Sequence, residues 1–283
     1  MTTTNLLQKF TANLRHLLPP AELEAMCIHL TLHLAEKYSL NPGAYLPAAA
    51  EAEIDKLTAD LKVGMPFQYA MGYCWFYKHK FVVKPAVLIP RPETEELVDL
   101  TIKTLQDTPA AAAGISILDV GTGTGCVAIS LALAVKNSRV TAIDVSTDAL
   151  DVARQNAELL HAEINFRETD FLNPDEYDEL GSFNVIISNP PYVPDTEEEA
   201  LEPQVKKWEP ASALFVPDSD PLIFYNSLAD FAEKGLLPGG YIFMECHYLF
   251  AQHVKELFES RGFAAHLMQD MSGNDRLVWG RKP

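Results

Sequence analysis

A regular alternation of strand-like and helix-like segments runs from Ile115 to the end of the chain. Short runs of β-branched and apolar residues, typical of buried strands, alternate with longer stretches that have helical spacing. This order favours a parallel sheet with helices on both faces, so the predicted fold class is α/β. The predicted strands are 115–120, 139–143, 164–167, 183–188, 241–246, 264–268 and 276–280, and the predicted helices are 127–135, 147–160 and 221–234.

The first part of the chain has a different pattern. Apolar residues recur at helical spacing over residues 5–63, which indicates a small helical bundle with a turn at Asn41-Pro42-Gly43. Aromatic and β-branched residues then flank Lys78-His79-Lys80, which predicts a β-hairpin. At about 150 residues per domain, two domains are expected. We predict a helical domain over residues 1–72, a hairpin linker over 73–90 and an α/β domain over 91–283.

Charge and composition argue against several classes of protein. The 283 residues include 22 Lys and Arg against 39 Asp and Glu, a formal net charge of −17. Because a protein that grips a nucleic-acid backbone displaces counterions with basic side chains, direct nucleic-acid binding is not expected. The sequence has no apolar run of membrane-spanning length and no signal-peptide core, so we expect a cytoplasmic protein without membrane association. The four scattered cysteines lack metal-ligand spacing, and no metal site is predicted.

A glycine-rich loop, Asp-Val-Gly-Thr-Gly-Thr-Gly over residues 119–125, follows the first predicted parallel strand. Glycines let the backbone turn tightly and approach a ligand, and α/β sheets bind ligands at this edge. Asp144 ends the second strand, where a carboxylate can accept hydrogen bonds from a ribose. Both NAD and S-adenosylmethionine carry a ribose. The dinucleotide fingerprint requires Gly or Ala where this chain has Cys126, and an acidic neighbourhood suits a sulfonium cation, so S-adenosylmethionine is favoured.

Three other residues of this region, Asp170, Phe171 and Asp119, are each open to two interpretations. Asp170-Phe171 follows the third strand and fits an adenine clamp, or else a capping Asp beside a core Phe. Asp119 fits a cofactor contact, or else an acid that only organises the loop.

The fourth strand runs into Asn189-Pro190-Pro191-Tyr192. Two prolines remove two backbone donors and hold the preceding backbone extended, which makes a stiff turn. An amide or aromatic amine nitrogen is a poor nucleophile, and a site for it would accept hydrogen bonds from both N–H groups. The side-chain oxygen of Asn189 and the carbonyl of Pro190 are candidates for this, with Tyr192 stacking on the flat substrate group. The sequence therefore predicts methyl transfer to a planar nitrogen, governed by positioning. A plain Pro-rich loop is the alternative.

These motifs together resemble the release-factor glutamine methyltransferase family, over most of residues 65–283. Three stretches besides the Asn-Pro-Pro-Tyr turn carry the resemblance: Pro66-Phe67-Gln68-Tyr69 with Gly72, residues 88–95 (Leu-Ile-Pro-Arg-Pro-Glu-Thr-Glu), and Trp208-Glu209-Pro210 with Ala213-Leu214. The tail over residues 270–276 also resembles the family ending. Where the family often has Glu-Ile-Gly after the fifth strand, this chain has Glu245-Cys246-His247.

The resemblance implies a seven-stranded Rossmann-like methyltransferase domain joined by the hairpin to a small N-terminal helical-bundle domain. Because the N-terminal segment is separate from the cofactor and catalytic motifs, we expect it to recognise the substrate. It implies methylation of the glutamine in the Gly-Gly-Gln motif of peptide-chain release factors, with S-adenosylmethionine as methyl donor. The predicted cofactor contacts are Asp119, Gly121, Thr122, Gly123, Thr124, Gly125, Asp144, Phe171 and Asn189. The predicted catalytic residues are Asn189, Pro190 and Tyr192, and the substrate contacts are Asn189, Pro190, Pro191 and Tyr192.

Three other functions compete with this one. A DNA or RNA base methyltransferase would share the cofactor loop and the Asn-Pro-Pro-Tyr turn, but acidic residues follow the turn where a phosphate backbone would pass: Asp195, Glu197, Glu198, Glu199 and Glu202. A non-catalytic scaffold that binds S-adenosylmethionine is opposed by the intact turn. A nicotinamide oxidoreductase is opposed by Cys126 and by the same turn.

Overall fold

A computed structural model describes residues 2–38, 45–106 and 114–283, and the turn predicted at Asn41-Pro42-Gly43 lies outside them. The chain divides into two compact units. One unit contains Met1–Gly72 with Pro203–Trp208, and the other contains Tyr73–Glu202 with Glu209–Pro283.

The N-terminal unit is helical, as its apolar spacing predicts. Helices α1 (Thr3–Leu14), α2 (Pro20–Tyr38) and α3 (Ala48–Lys62) are followed by the short α4 (Phe67–Met71). Each long helix buries one apolar face, because residues three or four positions apart lie on the same side of a helix. The faces meet in a core built from Leu6, Phe10, Leu14, Leu23, Met26, Leu30, Leu34, Leu46, Ala50, Ile54, Leu57 and Leu61.

The larger unit opens with the predicted hairpin. Strands β1 (Tyr73–Phe76) and β2 (His79–Val82) pair antiparallel. The turn is Tyr77-Lys78, with φ of 43° and 72°, and so lies one residue earlier than the polar run 78–80 indicates. Positive φ at both central residues matches the right-handed twist of the paired strands.

The seven-stranded sheet confirms the predicted α/β fold. Its strands are β3 Ser116–Val120, β4 Arg139–Asp144, β5 Ile164–Glu168, β6 Phe183–Ser188, β9 Leu236–Glu245, β10 Ala264–Gln269 and β11 Asp275–Arg281; β7 (Val193–Pro194) and β8 (Phe215–Val216) form a separate pair. The spatial order in the sheet is β10-β11-β9-β6-β3-β4-β5. The pairs β6–β9, β3–β6, β3–β4 and β4–β5 are parallel, whereas β11 runs antiparallel to β9 and β10.

Five longer helices accompany the sheet: α5 Pro92–Gln106, α6 Cys126–Ala134, α7 Thr147–Leu160, α9 Ile223–Gly235 and α10 Ala251–Ser260. The remaining short α8, Pro203–Trp208, belongs to the N-terminal unit. Helix α5 was not predicted, although Pro92 opens it and Glu93 and Glu95 lie in its first turn. Both are ordinary signals of a helix start. Among the described helices, none has the length and apolarity needed to cross a membrane.

The strand order changes direction beside β3. The chain passes from β3 to β4 and β5 on one side, and then to β6 and β9 on the other. Connections that leave in opposite directions open a crevice at the carboxyl edge of the sheet, where α/β proteins bind ligands. At this edge a hydrogen bond joins the ends of β3 and β6: the Ser188 hydroxyl donates to the Val120 carbonyl at 2.8 Å.

Candidate active site

A cavity of about 280 Å³ lies at the carboxyl ends of β3, β4, β5 and β6. Ligand pockets for small molecules start at roughly this size. The predicted site residues that line it are Asp119, Gly121, Thr122, Gly123, Thr124, Asp144, Phe171, Asn189, Pro190 and Pro191. Gly125 and Tyr192 are predicted site residues that do not line it.

The glycine-rich loop follows β3 and begins α6. Gly121, Gly123 and Gly125 have φ of 74°, 53° and 78°, in the left-handed region that other residues rarely adopt. Gly125 has a second reason to be glycine. A Cβ there would lie 3.0 Å from Ile129 Cδ1 and 3.1 Å from Ala153 Cβ. Gly125 therefore allows α6 and α7 to pack closely, while Gly121 and Gly123 face the cavity.

Asp119 supports the loop from below. Its Oδ2 accepts hydrogen bonds from the Thr122 hydroxyl at 2.7 Å and from the Ala128 backbone N–H at 3.2 Å. Burial raises the pKa of this carboxyl to about 7, and the two hydrogen bonds act in the opposite direction. The loop-organising interpretation of Asp119 is supported by these bonds, and its contact with a cofactor stays a prediction.

Asp144 ends β4 beside the same loop. Its Oδ2 accepts a hydrogen bond from Gly123 N and its Oδ1 from Ser146 N, both at 2.9 Å. Burial raises the pKa of this carboxyl, and the backbone hydrogen bonds partly oppose the shift. A carboxylate has about four lone-pair sites, so the two backbone bonds leave capacity for the hydroxyls of a ribose.

Phe171 forms an apolar wall of the cavity. Its ring packs against Tyr177 and Phe231, with centroid separations of 5.2 and 5.6 Å. The Tyr177 hydroxyl also donates to the Phe171 carbonyl at 3.1 Å. The ring is therefore part of the hydrophobic core and at the same time a surface on which a flat base can lie.

The Asn189 turn is held by a chain of hydrogen bonds. Asn189 Nδ2 donates to the Thr94 hydroxyl at 2.9 Å, and that hydroxyl donates to Glu245 Oε2 at 2.7 Å. The Tyr192 hydroxyl donates to Glu245 Oε1 at 3.0 Å. Tyr192 therefore directs its polar end into the protein and packs on the hydrophobic core.

Glu245 is the buried centre of this network. Only 1% of its surface is exposed. Burial raises its pKa, while the hydrogen bonds from Thr94 and Tyr192 and the charge of Arg276 oppose the shift. The Nε of Arg276 also forms an ion pair with Asp270 Oδ2 at 3.3 Å.

A second buried carboxylate braces the cavity rim. Glu209 accepts hydrogen bonds from Arg91 Nη2 at 2.6 Å and from Ile89 N at 3.1 Å. It belongs to one of the sequence stretches that carry the family resemblance, and its two partners belong to another. Arg91 and Pro210 both line the cavity, so the ion pair joins two loops that surround it.

Comparison with known proteins identifies the family of this chain. A family model described as methyltransferase small domain matches residues 94–205. A release factor glutamine methyltransferase from Bacteroides thetaiotaomicron is 38% identical over 94% of this chain and 95% of its own length. One from Koribacter versatilis is 36% identical over 98% of both. The chain belongs to the release factor glutamine methyltransferase family.

A solved structure confirms the fold of this family member. The methyltransferase from Pyrococcus furiosus has a TM-score of 0.51 and 20% identity, over 71% of this chain and 88% of that one. As a member of its family, the chain is an S-adenosylmethionine-dependent methyltransferase.

The cavity fits S-adenosylmethionine on three observations. Asp144 offers acceptors to ribose hydroxyls, Phe171 offers a flat apolar wall, and Gly121 and Gly123 leave open space in which no atom lies within 4 Å of an added Cβ. The loop therefore lets a ligand approach the backbone closely.

The sequence interpretation missed Thr94, Glu245, Arg91 and Glu209 as site residues. Thr94, Arg91 and Glu209 lie in stretches that were singled out only as marks of a resemblance, and Glu245 lies in a stretch noted only as a departure from the family pattern. Thr94 and Glu245 are 151 positions apart. Only the packing of α5 against β9 brings them together.

Proposed function

We propose that this chain transfers a methyl group from S-adenosylmethionine to the side-chain amide nitrogen of the glutamine in the Gly-Gly-Gln motif of peptide-chain release factors. The relatives from B. thetaiotaomicron and K. versatilis are named release factor glutamine methyltransferase, which supports a release-factor glutamine as the substrate. The observation that carries the proposal is the placement of Asn189 at the cavity, with its amide nitrogen engaged by Thr94 and its oxygen left to accept.

The side-chain oxygen of Asn189 is proposed to accept a hydrogen bond from the substrate amide. Across the described ranges 2–38, 45–106 and 114–283, no donor is bonded to Asn189 Oδ1. An acceptor at this point would bind one N–H of a glutamine side chain, and the Pro190 carbonyl is the proposed acceptor for the other. Two acceptors fix the plane of the amide and favour the loss of its conjugation as the new bond forms.

S-adenosylmethionine, when bound, supplies the methyl group on a sulfonium centre. The protein's contribution is to hold the acceptor nitrogen in line and to keep the amide from rotating, and positioning of this kind lowers barriers substantially. We propose Asp119, Asp144, Phe171, Asn189 and the loop Gly121–Gly125 as cofactor contacts. Tyr192, anchored through Glu245, is proposed to flank the substrate group.

The proposed partner is a protein, with no direct contact to nucleic acid. The net charge of −17 and the acidic residues after the turn repel a phosphate backbone. We propose that residues 1–72 form a substrate-recognition domain, that 73–90 link it, and that 91–283 carry the chemistry. The N-terminal unit has its own hydrophobic core, which suits a separate recognition role.

Mass spectrometry of purified release factor tests the proposal, after incubation with this protein and labelled S-adenosylmethionine. We expect one methyl group on the glutamine of the Gly-Gly-Gln motif. Asn189→Ala should lower the single-turnover rate about 100-fold or more, since it removes a preorganised contact to the reacting group. Asn189→Asp should keep partial activity, because a carboxylate still accepts the hydrogen bond.

Circular dichroism serves as the control for folding, and calorimetry measures cofactor binding separately. A folded Asn189→Ala protein with a near wild-type rate would show that Asn189 only forms the turn. In a parallel incubation with DNA or RNA, label on the nucleic acid and none on release factor would favour a nucleobase methyltransferase. Cofactor binding without any transfer would favour a scaffold.

A further inference from the structure

The side-chain amide of Asn189 has two ends of nearly the same shape. Rotation of the amide by half a turn exchanges the oxygen and the NH2 group with little change in packing. Only the orientation with Oδ1 toward the cavity can accept a hydrogen bond from a substrate amide. The proposed reaction therefore needs a device that selects between the two orientations.

The polarity of the hydrogen-bond network supplies that selection. Both oxygens of Glu245 accept a hydroxyl hydrogen, Oε2 from Thr94 at 2.7 Å and Oε1 from Tyr192 at 3.0 Å, so the single hydroxyl hydrogen of Thr94 is directed at Oε2. The Thr94 oxygen then presents only lone pairs to Asn189, 2.9 Å away. Asn189 must therefore donate to Thr94 through its NH2 group, so that its Oδ1 points away from Thr94.

The anchor of this relay is fixed on all sides. Glu245 is buried, and the Tyr192 hydroxyl donates to its second oxygen at 3.0 Å. Thr94 is also buried, with 3% of its surface exposed. If Asn189 rotated, two oxygens would face each other across a part-buried contact of 2.9 Å. The Thr94 hydroxyl would then have to leave Glu245, whose oxygen would lose its partner in a buried site.

We propose that Thr94 is a positioning residue: held by Glu245, its hydroxyl sets the orientation of the Asn189 amide so that the oxygen faces the substrate. This inference rests on the proposed function of Asn189 and adds the residues that make it selective. Neither Thr94 nor Glu245 needs to touch the reacting atoms for this role.

The decisive test is a double-mutant cycle between Thr94→Val and Asn189→Asp, measured as single-turnover methylation of release factor. Valine has the shape of threonine without the hydroxyl. We expect Thr94→Val alone to lower the rate about 10–100-fold, the range of a lost preorganised contact, with less than about threefold change in cofactor Kd. In the Asn189→Asp background the two ends of the side chain are the same, so Thr94→Val should cost much less.

Three further variants separate positioning from packing. Thr94→Ser keeps the hydroxyl and should restore most of the rate. Glu245→Gln brings an NH2 group that can reverse the relay, and should lower the rate without abolishing cofactor binding. Thr101→Val is the matched control: it removes a buried hydroxyl from the same helix, one that donates to the Leu97 carbonyl at 2.8 Å, and the rate should stay unchanged.

The outcomes distinguish this inference from the function on which it rests. An inactive wild type would overturn both. An active wild type with a folded, fully active Thr94→Val would overturn only the relay, as would an equal loss from Thr94→Val in the Asn189 and Asp backgrounds. If Thr94→Val does not fold, a fully active Glu245→Gln would overturn the relay in the same way.

Discussion

The side chain of Asn156 donates a hydrogen bond of 2.9 Å to the backbone carbonyl of Thr124 in the glycine-rich loop. The same side chain is paired with both backbone groups of Val82 in β2: its Oδ1 accepts from Val82 N at 2.7 Å, and its Nδ2 donates to Val82 O at 3.0 Å. Asn156 is fully buried. One amide in α7 therefore holds the hairpin and the predicted cofactor loop together.

We expect Asn156→Ala to lower both stability and cofactor affinity. The buried Thr124 carbonyl and the two part-buried backbone groups of Val82 would lose their partner, and an unsatisfied buried polar group costs about 1–3 kcal/mol. Because the glycine-rich loop would then have to be ordered on binding, the affinity for S-adenosylmethionine should fall about tenfold, or ~1.4 kcal/mol. Urea unfolding and calorimetry measure the two effects. Asn165→Ala, at an exposed position on β5, should change neither. Unchanged affinity in Asn156→Ala would show that the loop keeps its shape without this bond.

Asp144→Ala should weaken the binding of S-adenosylmethionine by about 1.5–3 kcal/mol, the range for hydrogen bonds to a charged group. Asp144→Asn should also weaken it. Each carboxylate oxygen accepts a backbone N–H, from Gly123 or Ser146, and an asparagine would point its NH2 group at one of these donors. Asp151→Ala, at an exposed position on α7, is the control. Wild-type cofactor affinity in Asp144→Ala, measured by calorimetry, would remove Asp144 from the site.

Periodicity predicts the elements of this fold well where a segment has one strong pattern. Helix Thr147–Leu160 and strand Phe183–Ser188 have the predicted bounds, because an N-cap serine begins the first and a continuous apolar run defines the second. Helix α5 escaped because its start lies within a run of prolines and acids that was interpreted only as a motif. The loops at strand ends could be predicted, since strands 115–120, 139–143 and 183–188 end at one edge of any parallel sheet.

The interior of the site could not be predicted from the sequence. Glu209 lies in a stretch with no local sign of burial and Glu245 in a predicted buried strand, but the partners of the two carboxylates are 118 and 151 positions away. Alternation of strands and helices does not specify which helix covers which strand. The sequence thus placed Asn189 at the cavity but could not assign the orientation of its amide, which depends on those distant partners.

Removal of residues 1–72 should separate cofactor binding from substrate recognition. The cavity lining contains no residue before Ala86. We therefore expect a chain beginning at Tyr73 to bind S-adenosylmethionine within about threefold of wild type, and to lose about 1.4–2.8 kcal/mol in kcat/KM for release factor, or 10–100-fold. Calorimetry and steady-state methylation measure the two quantities. Equal kcat/KM in the shortened and full chains would reject a recognition role for the N-terminal unit.

Asp119 should give the protein a recognisable dependence of stability on pH. Burial raises its pKa from 3.8 to about 7 in the folded state. Between these values the folded chain keeps a proton that the unfolded chain releases, so the contribution of Asp119 to the free energy of unfolding is present at low pH and is lost as pH rises through about 7. Asp119→Asn removes the titration and retains an oxygen for the Thr122 hydroxyl and the Ala128 N–H. The free energies of unfolding of both proteins are measured in urea from about pH 5 to about pH 8. The contributions of the other titrating groups cancel in the difference, and wild-type stability should fall relative to Asp119→Asn across this range. A difference that stays constant, or that favours the wild type more as pH rises, would show that Asp119 is ionised throughout and is held by its hydrogen bonds more strongly than burial opposes its charge.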